Sequence, residues 1–262
     1  MERQPNKSWK VSSVPLRLLA NLNMNLKNQR VFIIGGTAGI GFAVAKLAIE
    51  EGASVLVASG TQQRVDLAVE QLGTQAEGRV LNVLQEDRVD EFFRAADEFD
   101  HLVFTAGDAL CIAEPGTLSL KEAKQRFDVR YWGAYLSVKY GRQKIRKEGS
   151  IVLSSGIASR RPMKGWSLGA SITGAIESFT RALAIDLAPI RVNVVAPGAV
   201  RTELWDFIPE QERNGFYRQI GERLPIGRVG EPSEVAEAYV YLMKNRFSTG
   251  SIVVTDGGGV LA

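Results

Sequence analysis

The sequence predicts a three-layer α/β/α domain on a doubly wound, seven-stranded parallel sheet, and three observations carry that expectation. Short runs rich in Val, Ile and Leu recur without period-2 alternation, as in strands buried on both faces. Stretches with helical spacing lie between them, so strand and helix alternate as right-handed crossovers require. The chain has 262 residues, with no low-complexity linker and no internal repeat, which suits one large domain.

In chain order the strand candidates are 31–34, 54–58, 79–82, 102–104, 151–154, 191–195 and 252–255. The helical stretches include 42–51, 62–72, 90–98, 120–142 and 233–244, and a further long helix closes the segment from Ser154 to Ala184. Ser119 ahead of Leu120, with Glu122 close behind, is a helix-start signal, as is Pro232-Ser233-Glu234 before an apolar run. Residues 28–262 form the expected domain and residues 1–27 an extension. That extension carries Lys and Arg, has no run of membrane-spanning length and lacks the apolar segment of a secretory signal. A short helix over Val14 to Leu22 fits its pattern.

Composition narrows the partners. Apolar residues make up 45% and charged residues 23%, ordinary values for a globular protein. A formal charge of +3 gives no argument for nucleic acid, and nothing in the chain calls for a membrane. Cys111 is the single cysteine, so no intrachain disulfide can form and a reducing, cytoplasmic setting is expected. With one Cys and one His, an N/S metal site has too few ligands, and no metal is expected. His101, just ahead of the apolar run 102–104, reads as a structural or surface residue.

The first strand runs straight into Gly35-Gly36-Thr37-Ala38-Gly39-Ile40-Gly41 and then a helix. Glycines there let the backbone turn sharply and approach a pyrophosphate, which a helix N-terminus favours electrostatically. The spacing is G-x-x-x-G-x-G, and a plain structural corner is the competing reading. At the end of the second strand stand Ala58, Ser59, Gly60 and Thr61, with Arg64 one turn on and no acid. An acid there would bind a ribose 2′-hydroxyl and repel a 2′-phosphate. Two hydroxyls and a cation favour NADP(H) over NAD, unless Arg64 is only a solvated helix charge.

The glycine loop, Thr105-Ala106-Gly107, the run Arg191 to Leu204 with Asn193 and Pro197-Gly198, and the closing Asp256-Gly257-Gly258 together resemble a short-chain dehydrogenase/reductase over roughly residues 28–262. The resemblance implies a Rossmann-type fold and a cofactor across the carboxyl ends of the strands. Gly35, Thr37, Gly39, Ile40, Gly41, Ala106 and Gly107 would then be cofactor-binding, as would Pro197, Gly198, Val200 and Thr202 near the nicotinamide. Asn82 and Val83 hold the place of an adenine-contacting Asp-Val, with the Asn keeping an acceptor. A substrate lid over about 203–223 and a homo-oligomer, a dimer or tetramer, are also implied.

That family works with Asn, Ser, Tyr and Lys, the last two spaced to share one helix face. Aligned on the tail of its long helix, this sequence has Gly169 at the Tyr position, Thr173 at the Lys position and Arg130 at the Asn position. Ser155 alone remains, one residue further from the Tyr position than usual. Gly169 has no proton to give, and losing a general acid costs about 10²–10⁴ in rate where one is needed.

Two readings follow. In one, the protein is an NADPH-dependent reductase of a bulky small molecule. Its substrate is an iminium that needs no proton, or a carbonyl polarised by Arg130 and Ser155, with Trp166 as a stacking wall. This version resembles the fungal bicyclo[2.2.2]diazaoctane alkaloid reductases that also guide an intramolecular Diels–Alder cyclisation. Those use an acid in the loop before the helix, whereas the loop 155–168 here has none and carries Arg160, Arg161 and Lys164, which suits an acidic substrate. In the other reading the protein binds NADP(H) without catalysis, Arg130 pairs with Asp128 or a partner chain, and Trp166 merely packs on the helix.

Overall fold

The computed structural model describes residues 25–110 and 112–262. The helix expected over Val14 to Leu22, and Cys111, lie outside the described residues. Seven strands form one sheet in the order β3-β2-β1-β4-β5-β6-β7, every pairing parallel. They are β1 Arg30–Ile34, β2 Ser54–Ser59, β3 Ala76–Val80, β4 Phe99–Phe104, β5 Ile145–Ser154, β6 Arg191–Pro197 and β7 Ile252–Thr255. The main helices are α1 Gly39–Glu50, α2 Gln62–Leu72, α3 Glu86–Arg94, α4 Leu120–Gln125, α5 Ala134–Gly141, α6 Ser167–Asp186, α7 Glu210–Gly221 and α8 Pro232–Lys244.

Alternate residues of each strand feed two cores, one on each face. Phe32, Ile34, Leu56 and Leu102 point to the side covered by α3, α5 and α6, where they meet Phe93, Val138 and Ile176. Val31, Ile33, Val55 and Val57 point to the side covered by α1 and α8, against Val44, Tyr239 and Leu242. Burial on both faces is why the strands read as apolar runs rather than alternating ones. The chain enters the domain at Leu26, which is fully buried in the second core.

Some expected elements need correction. The helix expected over 90–98 is α3, Glu86–Arg94, whose polar, exposed first turn hid its start. The third strand lies at 76–80 rather than 79–82, because it is the sheet edge and mixes half-exposed with exposed residues. Its weak apolar signal hid its start, and Asn82 lies beyond its end. The single helix expected over 120–142 is broken. A capping box at Ser119 and Glu122 starts α4, and a π-helical turn, Asp128–Gly133, then intervenes before α5. There the Trp132 N–H reaches back five residues to the Phe127 carbonyl, 3.1 Å away. A Cβ on Gly133 would stand 2.9 Å from Val83 Cγ2, so the wide turn presses a bare backbone against the start of the β3–α3 loop. Such turns concentrate at functional sites, and this one carries Arg130.

His101 is a structural residue. It lies near the amino end of β4, 3% exposed, with Nδ1 2.8 Å from Ser150 Oγ and Nε2 2.6 Å from Gln29 Oε1. Burial, helped by the positive charge of Arg191, depresses its pKa to about 3. In the unfolded chain it protonates near its ordinary value, about 6.5. Below that pH the unfolded chain holds a proton the folded one refuses, so stability falls as pH drops from about 6.5 towards about 3. Because His101 is the only histidine, the unfolding free energy measured between pH 6.5 and 5 should fall with a slope approaching about 1.4 kcal/mol per pH unit. His101→Gln should flatten that slope, and an unchanged slope would remove His101 as its source.

Candidate active site

The carboxyl ends of β1, β4, β5 and β6 converge on one edge of the sheet, where the strand order reverses between β1 and β4. Ligands of open parallel sheets bind at such a crevice. Gly35 adopts φ +89° and its missing Cβ would overlap the Ala106 backbone, while a Cβ on Gly41 would overlap the Gly35 carbonyl and Thr105 Oγ1. Thr105 fastens the contact, its hydroxyl donating to the Gly35 carbonyl at 3.1 Å. The glycine loop and the end of β4 thus touch backbone to backbone. Gly39, at φ +51°, lies 3.3 Å from Thr202 Cγ2 when given a Cβ, which brings the β6 loop over the same turn.

The cradle fits a dinucleotide phosphate. Helix α1 begins behind it without a side-chain cap and without an acid in its first turn, leaving its N-terminal amides to an anion. At the end of β2, Ser59 is half-buried and Thr61 and Arg64 are exposed. Thr61 does not cap the helix it precedes. Val83 is buried against Gly133. Asn82 differs from expectation, since its Oδ1 accepts the Leu84 N–H at 3.0 Å and serves its own turn. Gly198 lies against Asp256, whose carboxylate accepts the N–H groups of Gly258 and Val260. Asn193 is fully buried and holds the β6–β7 connection through Ser248 and Ser251.

Arg130 comes off the π turn and lies beneath the loop after β4. Its Nη2 donates to the Asp108 carbonyl at 2.6 Å, and its Nε lies 3.3 Å from Asp108 Oδ1. A Cβ on Gly107 would be 2.8 Å from the guanidinium carbon, so glycine there makes room for the cation. The ion partner is therefore Asp108, not Asp128. Burial lowers the pKa of Arg130 and Asp108 opposes that shift; a guanidinium remains charged.

Ser155, at the end of β5, turns its hydroxyl to α6: Thr173 O is 3.2 Å away and Glu177 Oε1 3.3 Å. Thr173 spends its own hydroxyl on the Gly169 and Ala170 carbonyls. Trp166 occupies the N-cap position of α6, and a Cβ on Gly169 would meet its indole at 3.5 Å, an ordinary contact. The indole thus stands beside Gly169, packed on the helix and bordering the space a larger residue would fill.

Each of the six tyrosines is engaged away from Gly169. Tyr131 packs its ring on Trp132 and Phe179, and Tyr135 joins the same group. Tyr140 bonds Glu86, and Tyr241 accepts from Asn245. Tyr239 is fully buried against Ser154, and burial raises its pKa. Tyr217 packs with Trp205 and Val229 in the segment after β6, under the Arg201 guanidinium. That segment, a short 3-10 turn at Glu203–Trp205 followed by α7, also reaches Leu110 on the β4 side.

The basic loop is largely neutralised. Arg160 pairs with Glu177 at 3.0 Å and Lys164 with Glu114 at 2.9 Å, which weakens the argument for an acidic substrate, and Arg161 is exposed. Asp108 and Glu177 are site residues that sequence reasoning missed. Glu177 lies one turn beyond Thr173 beside the buried Ile176, an acid within an apolar stripe, and that was its signal. Among the described residues no cluster of three or more His, Cys, Asp or Glu side chains could hold a metal. No described helix is long and apolar enough to cross a membrane.

Fold and site define a doubly wound α/β protein of the dinucleotide-cradle class. A family model described as "Enoyl-(Acyl carrier protein) reductase" matches residues 35–259. The chain is 34% identical to the short-chain dehydrogenase/reductase fsr5 of Gibberella fujikuroi, covering 90% of this chain and 96% of that one. It is 32% identical to the short-chain dehydrogenase/reductase malC of Malbranchea aurantiaca, with the same coverage. Among solved structures it resembles a small-chain dehydrogenase in complex with NADPH, at 35% identity and TM-score 0.79 over 90% of this chain and all of the other. It also resembles the MalC reductase/Diels-Alderase, at 30% identity and TM-score 0.85 over 92% of this chain and all of the other. The chain belongs to the short-chain dehydrogenase/reductase family, an oxidoreductase family.

Proposed function

We propose that this protein is an NADPH-dependent reductase with an atypical site, acting on a bulky organic substrate of specialised metabolism. The observation that carries the reading is the absence of any tyrosine beside Gly169 next to a cradle whose shape fits a dinucleotide. Bound NADPH would supply a hydride at the carboxyl edge of the sheet. The residues that would hold it are the glycine loop, Ser59, Thr61 and Arg64 at the 2′-phosphate, Val83 at the adenine, and Pro197, Gly198, Val200 and Thr202 at the nicotinamide. Asn82 retains its side-chain amide N–H groups for that role.

The chemistry left to the protein is positioning. A carbonyl that gains a hydride becomes an alkoxide and needs a proton, whereas an iminium becomes a neutral amine and needs none. Arg130, held by Asp108, keeps N–H groups that can polarise an oxygen, and Trp166 offers a flat apolar surface beside Gly169. A product that then cyclises within the same enclosure, as in a Diels–Alder closure, is the narrower form of the reading; the resemblance to the MalC structure supports it. The rival reading, NADP(H) binding without turnover, draws on Arg130 and Ser155 both being spent on internal partners.

Three outcomes are expected. Purified protein should consume NADPH with a bulky cyclic iminium or ketone, and Arg130→Ala should lower turnover about 10²–10³-fold, the general range for loss of a polarising donor. NADPH affinity should change far less, while equal loss of both would make Arg130 structural. In fluorescence titrations NADPH should bind more tightly than NADH; the reverse order would overturn the cofactor assignment. A second copy of the chain is expected against the exposed Trp132 and Tyr135, and Trp132→Glu should shift the sedimenting species to the monomer.

A further inference from the structure

Glu177 is a carboxylate buried to 6% exposure in the middle of α6. Burying such a group is costly unless it is fully bonded. Its partners all come from one short stretch: Oε1 accepts from Ser155 Oγ at 3.3 Å and Ser159 Oγ at 3.0 Å, and Oε2 from Arg160 Nη2 at 3.0 Å. Gly174 faces the same stretch, with Ser159 Cβ 3.7 Å from where its Cβ would be, an ordinary contact. The carboxylate thus fastens the segment between β5 and Trp166 to the helix that carries Gly169 and Thr173.

The consequence falls on the Ser155 proton. A hydroxyl has one hydrogen and two lone pairs. Every partner of Ser155 Oγ, namely Glu177 Oε1, Thr173 O and Gly156 O, can only accept. Two of these acceptors lie on α6 and one of those, Glu177, is charged, which draws the hydrogen to α6 and leaves the lone pairs over. We infer that Glu177 is a positioning residue that makes Ser155 a hydrogen-bond acceptor toward the substrate. It thereby favours a substrate presenting an N–H or a positive charge at the reacting centre over one presenting a neutral carbonyl. This rests on the reading that Ser155 borders a reducing site, and it reverses the donor role that sequence reasoning gives Ser155.

Glu177→Gln keeps size and removes one acceptor. Arg160 will claim the amide oxygen, leaving the amide N–H₂ to donate to Ser159 and Ser155. The probes are 3,4-dihydroisoquinolinium, whose N–H adjoins the reacting carbon, and 1-tetralone, a bicyclic ketone of similar size. The readout is the ratio of their kcat/KM values, with NADPH affinity and melting temperature as controls on folding. Wild type should favour the iminium, and Glu177→Gln should shift the ratio toward the ketone by about tenfold, the effect of one charge-assisted hydrogen bond. Glu177→Asp, which retains the carboxylate, should keep the wild-type ratio even if both rates fall. Ser155→Ala, a small change independent of how Glu177→Gln folds, should also lose the iminium preference. A purely structural Glu177 would slow both substrates together. Ratios unmoved in both Glu177→Gln and Ser155→Ala overturn the inference while leaving the reductase reading intact. Wild-type protein inert with both probes overturns the reductase reading, and this inference with it.

Discussion

The close approach of the glycine loop to the end of β4 governs the rest of the site. Gly35 meets the Ala106 backbone and Gly41 meets both the Gly35 carbonyl and Thr105 Oγ1 at separations that leave no space for a side chain. Two neighbouring strands therefore finish with their backbones in contact, and the next residues, Gly107 and Asp108, are delivered to a fixed position. Arg130 reaches Asp108 from the π turn, its guanidinium packed against the bare face of Gly107. A change at Gly41 would pass through this chain of contacts to a cation two elements away, without touching it.

On the other wall of the crevice, charge rather than backbone fit sets the geometry. On α6, Thr173 folds its hydroxyl back on the helix. One turn further along stands the buried carboxylate of Glu177, balanced by Arg160 from the loop. With Arg130 balanced by Asp108, the crevice holds two cation–carboxylate pairs, both partly buried. Such pairs contribute little net stability once desolvation is counted, but they hold their groups in fixed orientations.

Much of this was legible in the sequence. The apolar runs placed β1, β2, β6 and β7 within two residues at both ends, and β4 and β5 at their carboxyl ends, because double-sided burial leaves a signal that needs no tertiary information. It failed where burial fails. The edge strand β3 mixes exposed with half-buried residues, and the first half of β5 reads as charged because Arg146–Glu148 are exposed. The break in the helix over 120–142 was hidden because every residue there tolerates a helix. Only the fit of Gly133 against Val83 and Phe104 demands the wider turn.

The candidate site was legible as an inventory and not as a set of directions. Gly169, Thr173, Arg130 and Trp166 can be found by spacing, but the commitment of a proton cannot. Whether Ser155 donates or accepts depends on a carboxylate 22 residues away in the chain, and Arg130 finds its acid 22 residues upstream rather than at Asp128 two residues away. Asp108 sits in a loop whose local pattern suggests nothing catalytic, and the only local mark of Glu177 is an acid beside the buried Ile176. In a loop read as a basic patch, Arg160 and Lys164 are paired by partners from other elements, Glu177 and Glu114. Sequence lists the charges of a site, but their sum in the folded crevice depends on contacts between segments distant in the chain. The sign of a substrate must therefore be argued from paired groups, and the pairs here leave Ser155 with unspent lone pairs and no spare proton.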